Sequence, residues 1–168
     1  MVSPVTSYTW VVLAAGFYCL LLAVSNTLFL LMSTRKPREK ECPRVSVLVP
    51  ARDEEGNIEA CLASFVSQEY GDYEIIVYDD DSSDHTAEIA ADFARRHDFI
   101  SLIRGERLPE GVHGKVHAMQ TLAEAATGEY LLFADADTVH GPESISWAVT
   151  NITAHRLDML SGCPRHTT

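Results

Sequence analysis

Along this chain the spacing of hydrophobic positions changes once, near residue 33. From about 8 to 32 nearly every position is apolar, including Trp10, Val11, Val12, Leu13, Phe17 and Leu20, and the first 34 residues contain no Lys, Arg, Asp or Glu. A run of that length matches the roughly 20 residues a bilayer-spanning helix needs. It reads as a transmembrane helix over 8–32 rather than a cleaved signal peptide, because no basic residue precedes it and it outruns an ordinary signal core. Past a linker at 33–44, short hydrophobic runs alternate with stretches of helical period. Runs at 45–49, 74–78, 99–103 and 129–134 predict strands, the first stopped by Pro50. Ile58, Cys61, Leu62, Phe65 and Val66 repeat at helical spacing, as do Ile89, Ala90 and Phe93 within 86–96. Helices are also predicted over 115–126 and over 142–155, the latter opened by Pro142. Such alternation predicts an α/β fold with a mostly parallel sheet flanked by helices, filling 45–168. Residues 159–161 read as the start of one more strand. Nothing after them would close the sheet, so the expectation is a chain cut short of a whole domain.

Charge refines this picture. Arg35, Lys36, Arg38 and Lys40 follow the apolar run directly, and basic residues at that flank hold it on the cytoplasmic side of a cell membrane. The expectation is a single-pass protein whose soluble part faces the cytoplasm. Cys19, Cys42, Cys61 and Cys163 form no C-x-x-C pair and no regular spacing, which fits a reducing compartment and gives no zinc or disulfide framework. Asn151-Ile152-Thr153 fits a glycosylation acceptor tripeptide, but such tripeptides are common by chance and one facing the cytoplasm would stay unmodified, so it is given no role. A formal charge of −11 argues against nucleic acid as a partner.

The informative residues are those that follow the strands, since ligands of an open parallel sheet bind at the carboxyl ends. The first strand leads into Arg52-Asp53-Glu54-Glu55, the second into Asp79-Asp80-Asp81-Ser82-Ser83-Asp84, the fourth into Asp135-Ala136-Asp137. Each alone reads as a solvated turn or a helix cap; three along one edge read as a cation site. Asp135 and Asp137 can turn toward one hard divalent ion, Mg²⁺ or Mn²⁺, whose remaining ligands a diphosphate would supply. Neither a G-x-G-x-x-G nor a G-x-x-x-x-G-K-[ST] run occurs, so backbone loops of those kinds do not cradle phosphate. Lys115, after Gly114 at a helix start, is the cation best placed to do so. His140, three residues past Asp137, is a weaker candidate for metal ligand, and His113 and His117 beside Lys115 are weaker still.

The runs at 45–55 and 79–86, Gly114-Lys115, and Leu132-Phe133-Ala134-Asp135-Ala136-Asp137 resemble, in order and spacing, the family 2 glycosyltransferases of the GT-A fold. Within that family the chain looks most like the membrane-anchored enzymes of hopanoid and carotenoid glycosylation. The resemblance implies a nucleotide-diphosphate-sugar donor, its base and ribose near Ala51, Glu54 and Asp80. It also implies a divalent cation at Asp135 and Asp137, and inverting transfer to a lipid or polyisoprenoid-like acceptor. The general base of such enzymes lies beyond residue 168, so none is named here. Two positions depart from the family's pattern: Asp53 stands where Asn is usual, and Asp81 where Gly is frequent. A nucleotide-sugar-binding fragment without turnover is the main alternative. A phosphohydrolase of the haloacid-dehalogenase type, with Asp135 as nucleophile, fits less well because three strands precede the motif.

Overall fold

The computed structural model describes residues 4–32, 42–105 and 114–162. It divides into two units, Met1–Lys36 and Pro37–Thr168. In the first, helix α1 runs over Pro4–Met32, and its described side chains, at 10 and 12–28, are exposed. Among the described residues no helix is long and apolar enough to cross a membrane. The consecutive stretch of α1 with described side chains, 12–28, falls short of the roughly 20 residues of a span. The transmembrane reading of 8–32 is therefore still an expectation, and the basic cluster at 35–40 lies outside the described residues, as do His113 and Cys163.

The second unit is built from β1 (Val45–Ala51), α2 (Ile58–Val66), β2 (Tyr73–Asp79), α3 (Thr86–Arg96), β3 (Ile100–Arg104), α4 (Gly114–Ala125), β4 (Tyr130–Phe133) and α5 (Ser144–His155). The four strands are all parallel and lie in the order β3-β2-β1-β4. β1 is central and covered on both sides, which is why it reads as a continuous apolar run rather than an alternation. Val45, Val47 and Val49 pack with Ile75 and Val77 against Ile58, Cys61, Leu62 and Phe65 of α2 and Ala90 and Phe93 of α3. Leu48, Ile76 and Tyr78 face the opposite way, against Ala118 and Leu122 of α4. The helices after β1 and β2 thus cover one face and the helix after β3 covers the other. The winding reverses between β1 and β4, and a crevice opens at their carboxyl ends, where ligands of such sheets bind.

The amino ends of the strands are tied by a polar network around Glu74. Its Oε1 accepts hydrogen bonds from the Ser46 hydroxyl (2.6 Å), the Thr127 N–H (2.8 Å) and the Thr127 hydroxyl (2.7 Å), while Arg44 stands 3.5 Å from Oε2. Burial raises the carboxyl's pKa, but these donors and the Arg44 charge outweigh it and hold it below the ordinary range. Gly128 donates its N–H to the Ser46 hydroxyl at 2.8 Å, and a Cβ there would lie 2.5 Å from the Ser46 nitrogen.

Several boundaries differ from the sequence reading. β1 continues through Pro50 to Ala51, because β4 pairs with β1 only as far as Leu48 and the missing N–H of Pro50 faces a side where the ladder has ended. α5 starts at Ser144, not 142; the Pro142 carbonyl instead accepts the Glu69 N–H at 2.7 Å, which pins the chain before the helix begins. Residues 159–162 form no strand, so the further strand expected at 159–161 is not present. The chain leaves α5 through a left-handed turn at Arg156, whose following residue returns its N–H to the Ile152 carbonyl.

Candidate donor and cation site

Because β2, β1 and β4 are neighbours, the acidic segments that follow them come together at one edge. Two of the loops are knitted into one body. The Asp53 N–H donates to the Ser82 hydroxyl (3.0 Å), the Glu54 N–H to the Thr86 hydroxyl (2.8 Å) and the Glu55 N–H to Asp84 Oδ2 (3.0 Å). In return the Ser83 N–H reaches Asp53 Oδ1 (2.8 Å) and the His85 N–H reaches Glu55 Oε2 (3.1 Å). Asp84 also accepts the Thr86 hydroxyl and N–H, which lowers its pKa. Asp53 and Asp81 both have positive φ, 53° and 55°. The family's usual Asn and Gly at these positions are the residues that adopt that region most readily, and Asp follows them.

Asp80 is nearly buried. Its N–H donates to the Ala51 carbonyl at 2.9 Å, its carboxylate meets Arg52 Nη1 at 3.3 Å, and a Cβ on Gly114 would come 2.5 Å from its Oδ2. The glycine at the start of α4 thus allows the helix to approach this carboxylate closely. The side chain of Ala51 lies in the core, so only its backbone is available to a ligand. The Glu54 carbonyl accepts the Asn57 and Ile58 N–H groups at the start of α2, and its carboxylate accepts the Asn57 side-chain amide at 2.8 Å.

After β4, Ala134 and Ala136 are buried in the larger core while Asp135 and Asp137 are exposed. The i, i+2 alternation expected of two acids at a strand end is what the fold delivers. Lys115 Nζ lies 2.8 Å from Asp135 Oδ1. Hydrogen bonding to Asp135, that acid's charge and more weakly that of Asp137 raise the lysine's pKa. No basic residue lies near these acids in sequence; the partner comes from twenty residues away. Together with Pro50, Met119, Phe133 and Ala134, this pair lines a cleft of about 250 Å³ at the winding reversal.

The turn carrying the acids is braced from beneath. The Asp135 carbonyl accepts the Thr138 hydroxyl at 2.6 Å, that hydroxyl meets His140 Nε2 at 3.0 Å, and the His140 ring stacks on Phe65 at 4.3 Å. Burial lowers the His140 pKa. The ring is thus a support for the turn, while His117 meets Tyr78 edge-on at 6.2 Å. Burial, with the charges of Asp137 and Glu54, pushes the Cys61 thiol up to about 12, so it is an inert core residue.

Among the described residues no three His, Cys, Asp or Glu side chains gather as a metal-binding group. The donors present are two hard carboxylates, with the Lys115 ammonium standing as a cation against one of them. That set fits a magnesium-like ion that takes one or two carboxylates and completes its shell from substrate phosphates and water. Sequence reasoning missed Arg52, the contact of Gly114 with Asp80, and the Lys115–Asp135 pair. Opposite charges were the only signal for the pairs, and no local spacing connects them.

The family model described as glycosyl transferase family 2 matches residues 46–168. The poly-beta-1,6-N-acetyl-D-glucosamine synthase of Staphylococcus epidermidis is 32% identical over 133 residues, 77% of this chain and 31% of that protein. The UDP-Glc:alpha-D-GlcNAc-diphosphoundecaprenol beta-1,3-glucosyltransferase WfgD of Escherichia coli is 26% identical over 70% of this chain and 44% of its own length. Among solved structures, the mannosyltransferase PcManGT of Pyrobaculum calidifontis, in complex with GDP-Man and Mn²⁺, has a TM-score of 0.65 at 28% identity, covering 83% of this chain and 41% of that one. The chain spans less than half the length of these curated relatives. An acidic edge on a reversed parallel sheet, with the family's motifs in register over 46–168, leaves no place for the phosphohydrolase alternative: the chain belongs to glycosyl transferase family 2.

Proposed function

We propose that this chain carries the donor half of a membrane-anchored glycosyltransferase, which takes a sugar from a nucleotide-diphosphate donor and delivers it to a lipid or polyisoprenoid-like acceptor with inversion. The observation that carries the reading is that α4 begins against Asp80 at Gly114 and, one residue on, places Lys115 on Asp135 in the cleft at the reversal between β1 and β4. In this reading the backbone at Ala51, with Glu54 and Asp80, holds the nucleoside, Lys115 holds the diphosphate, and Asp135 and Asp137 hold Mg²⁺ or Mn²⁺. A divalent cation there would supply Lewis-acid stabilisation of the departing nucleotide. The GDP-Man and Mn²⁺ bound to the Pyrobaculum calidifontis mannosyltransferase support the donor and the cation, and the undecaprenol-linked acceptor in the name of the Escherichia coli relative supports a membrane lipid. The apolar run at 8–32 and the basic residues at 35–40 support an anchor in the cell membrane with the enzyme on the cytoplasmic side.

Thermal shifts with UDP, GDP and their sugars, with and without Mn²⁺, test the donor reading. A metal-dependent rise, abolished by Asp137→Asn, is expected; a folded sample indifferent to every nucleotide would overturn it. For the 168 residues taken alone, the short span of the relatives that they cover favours a second reading, donor binding without turnover. Loss of a general base costs about 10² to 10⁴ in rate, so transfer of radiolabelled sugar to membrane lipid is expected to be undetectable or very slow, and robust transfer would refute this second reading.

A further inference from the structure

The two acids proposed to meet the donor each carry a cation supplied by another segment: Arg52 on Asp80 at 3.3 Å and Lys115 on Asp135 at 2.8 Å. The second pair has a consequence that does not depend on naming the nucleotide. We propose that Lys115 is a positioning residue that exchanges partners, guarding Asp135 against a bare divalent cation and releasing it when a diphosphate arrives to take the ammonium. The inference rests on the donor reading above.

Three observations lead to it. The lysine and the aspartate come from different elements, α4 and the turn after β4, and both line the same cleft, so the ammonium can leave the carboxylate without any change in the sheet. Both side chains are largely exposed, 67% and 61%, so breaking the pair uncovers no buried charge and costs little. With no third metal-ligating side chain among the described residues, a bare cation has two carboxylates to bind, and the ammonium already occupies one. Metal and lysine therefore compete for Asp135 until phosphate oxygens supply both with partners. Competition that ends on nucleotide binding makes metal and nucleotide bind cooperatively, and linkage requires the same factor in both directions.

Calorimetric titration of the full chain tests this, with Mn²⁺ alone, with UDP or GDP alone, and with each in the presence of the other. In Lys115→Gln and Lys115→Met, Mn²⁺ alone is expected to bind roughly two- to fivefold tighter, the scale of an exposed ion pair, while the mutual enhancement of metal and nucleotide shrinks. Lys115→Arg should keep the wild-type pattern. If Mn²⁺ alone binds the neutral variants no more tightly, yet the wild type still binds nucleotide with metal, the exchange is wrong and the donor site stands. If the folded wild type binds no nucleotide with metal, the donor reading and this inference both fall.

Discussion

Asp53 and Asp81 show how much one backbone angle asks of one residue. Both sit in the left-handed region, which costs most L-residues about 1–2 kcal/mol, yet only Asp53 also accepts hydrogen bonds with its side chain, from the Ser83 N–H and hydroxyl. Asp53→Asn keeps the angle and an acceptor, so its stability should stay within about 0.5 kcal/mol of the wild type, whereas Asp53→Ala should lose about 1–2 kcal/mol; urea denaturation distinguishes them. His140 gives a residue-level prediction of another kind. Its folded-state pKa is lowered by burial from an ordinary 6.5, so as pH falls past 6.5 the unfolded chain takes up a proton that the folded chain resists. Stability should decline over that range. Urea midpoints between pH about 7.5 and 5.5 should fall in the wild type and fall less in His140→Gln; parallel curves would assign the slope to other groups.

The central strands β1 and β2 are covered on both faces by helices and tied at their ends by polar contacts, and the two ends differ in what those contacts hold. The Glu74 network closes the amino ends of β1 and β2 and the approach to β4. Gly128→Ala would drive a methyl group into the backbone nitrogen of Ser46, so a loss of about 1–3 kcal/mol is expected, read as a fall in Tm with nucleotide binding per folded molecule unchanged. The Glu74 pKa is lowered from an ordinary 4.5. On acidification the unfolded state is therefore protonated first, and stability conferred above pH 4.5 is lost below it. Glu74→Gln should flatten this acid limb. At the carboxyl ends the contacts instead set the groups proposed to meet the donor, and Gly114→Ala should press on the Asp80 carboxylate. Its expected signature is weaker nucleotide binding with a nearly unchanged Tm, the opposite of Gly128→Ala.

At the level of the molecule, the proposed donor site and the proposed anchor fall in different units. The sheet and the residues proposed to hold the donor all belong to the unit Pro37–Thr168, and α1 belongs to the other. Removing residues 1–36 should therefore shift the protein from the membrane fraction to the soluble fraction while metal-dependent nucleotide binding persists. Retention in the membrane fraction would count against the anchor. Loss of nucleotide binding from a folded truncated protein would mean that the first unit contributes to the site. β4 is the edge of the described sheet, and Leu131 and Phe133 on it are each 44% exposed. An uncharged, partly bare edge of this kind invites association, so lysine in place of Leu131 should reduce concentration-dependent self-association measured by light scattering.

The alternation of apolar runs with helical spacing was enough to place four strands and four helices of the second unit, because burial of one helix face and of both strand faces leaves a periodic mark on the chain itself. The gathering of the acids at one edge was legible too: acids after hydrophobic strands mark the carboxyl edge of a parallel sheet whatever the strand order. The strand order, the partners of the acids and the fate of Pro50 were not. They depend on which strands become neighbours, and nothing within a few residues of Asp135 or Asp80 specifies Lys115 or Arg52. Ion pairs between segments 20 and 28 residues apart exist only once the β1–β4 and β1–β2 pairings have brought the loops together, since charge acts through distance in space and leaves no period in sequence. The same holds for His140, which reads as a possible ligand in the chain and becomes a neutral brace only because α2 presents Phe65 beneath it.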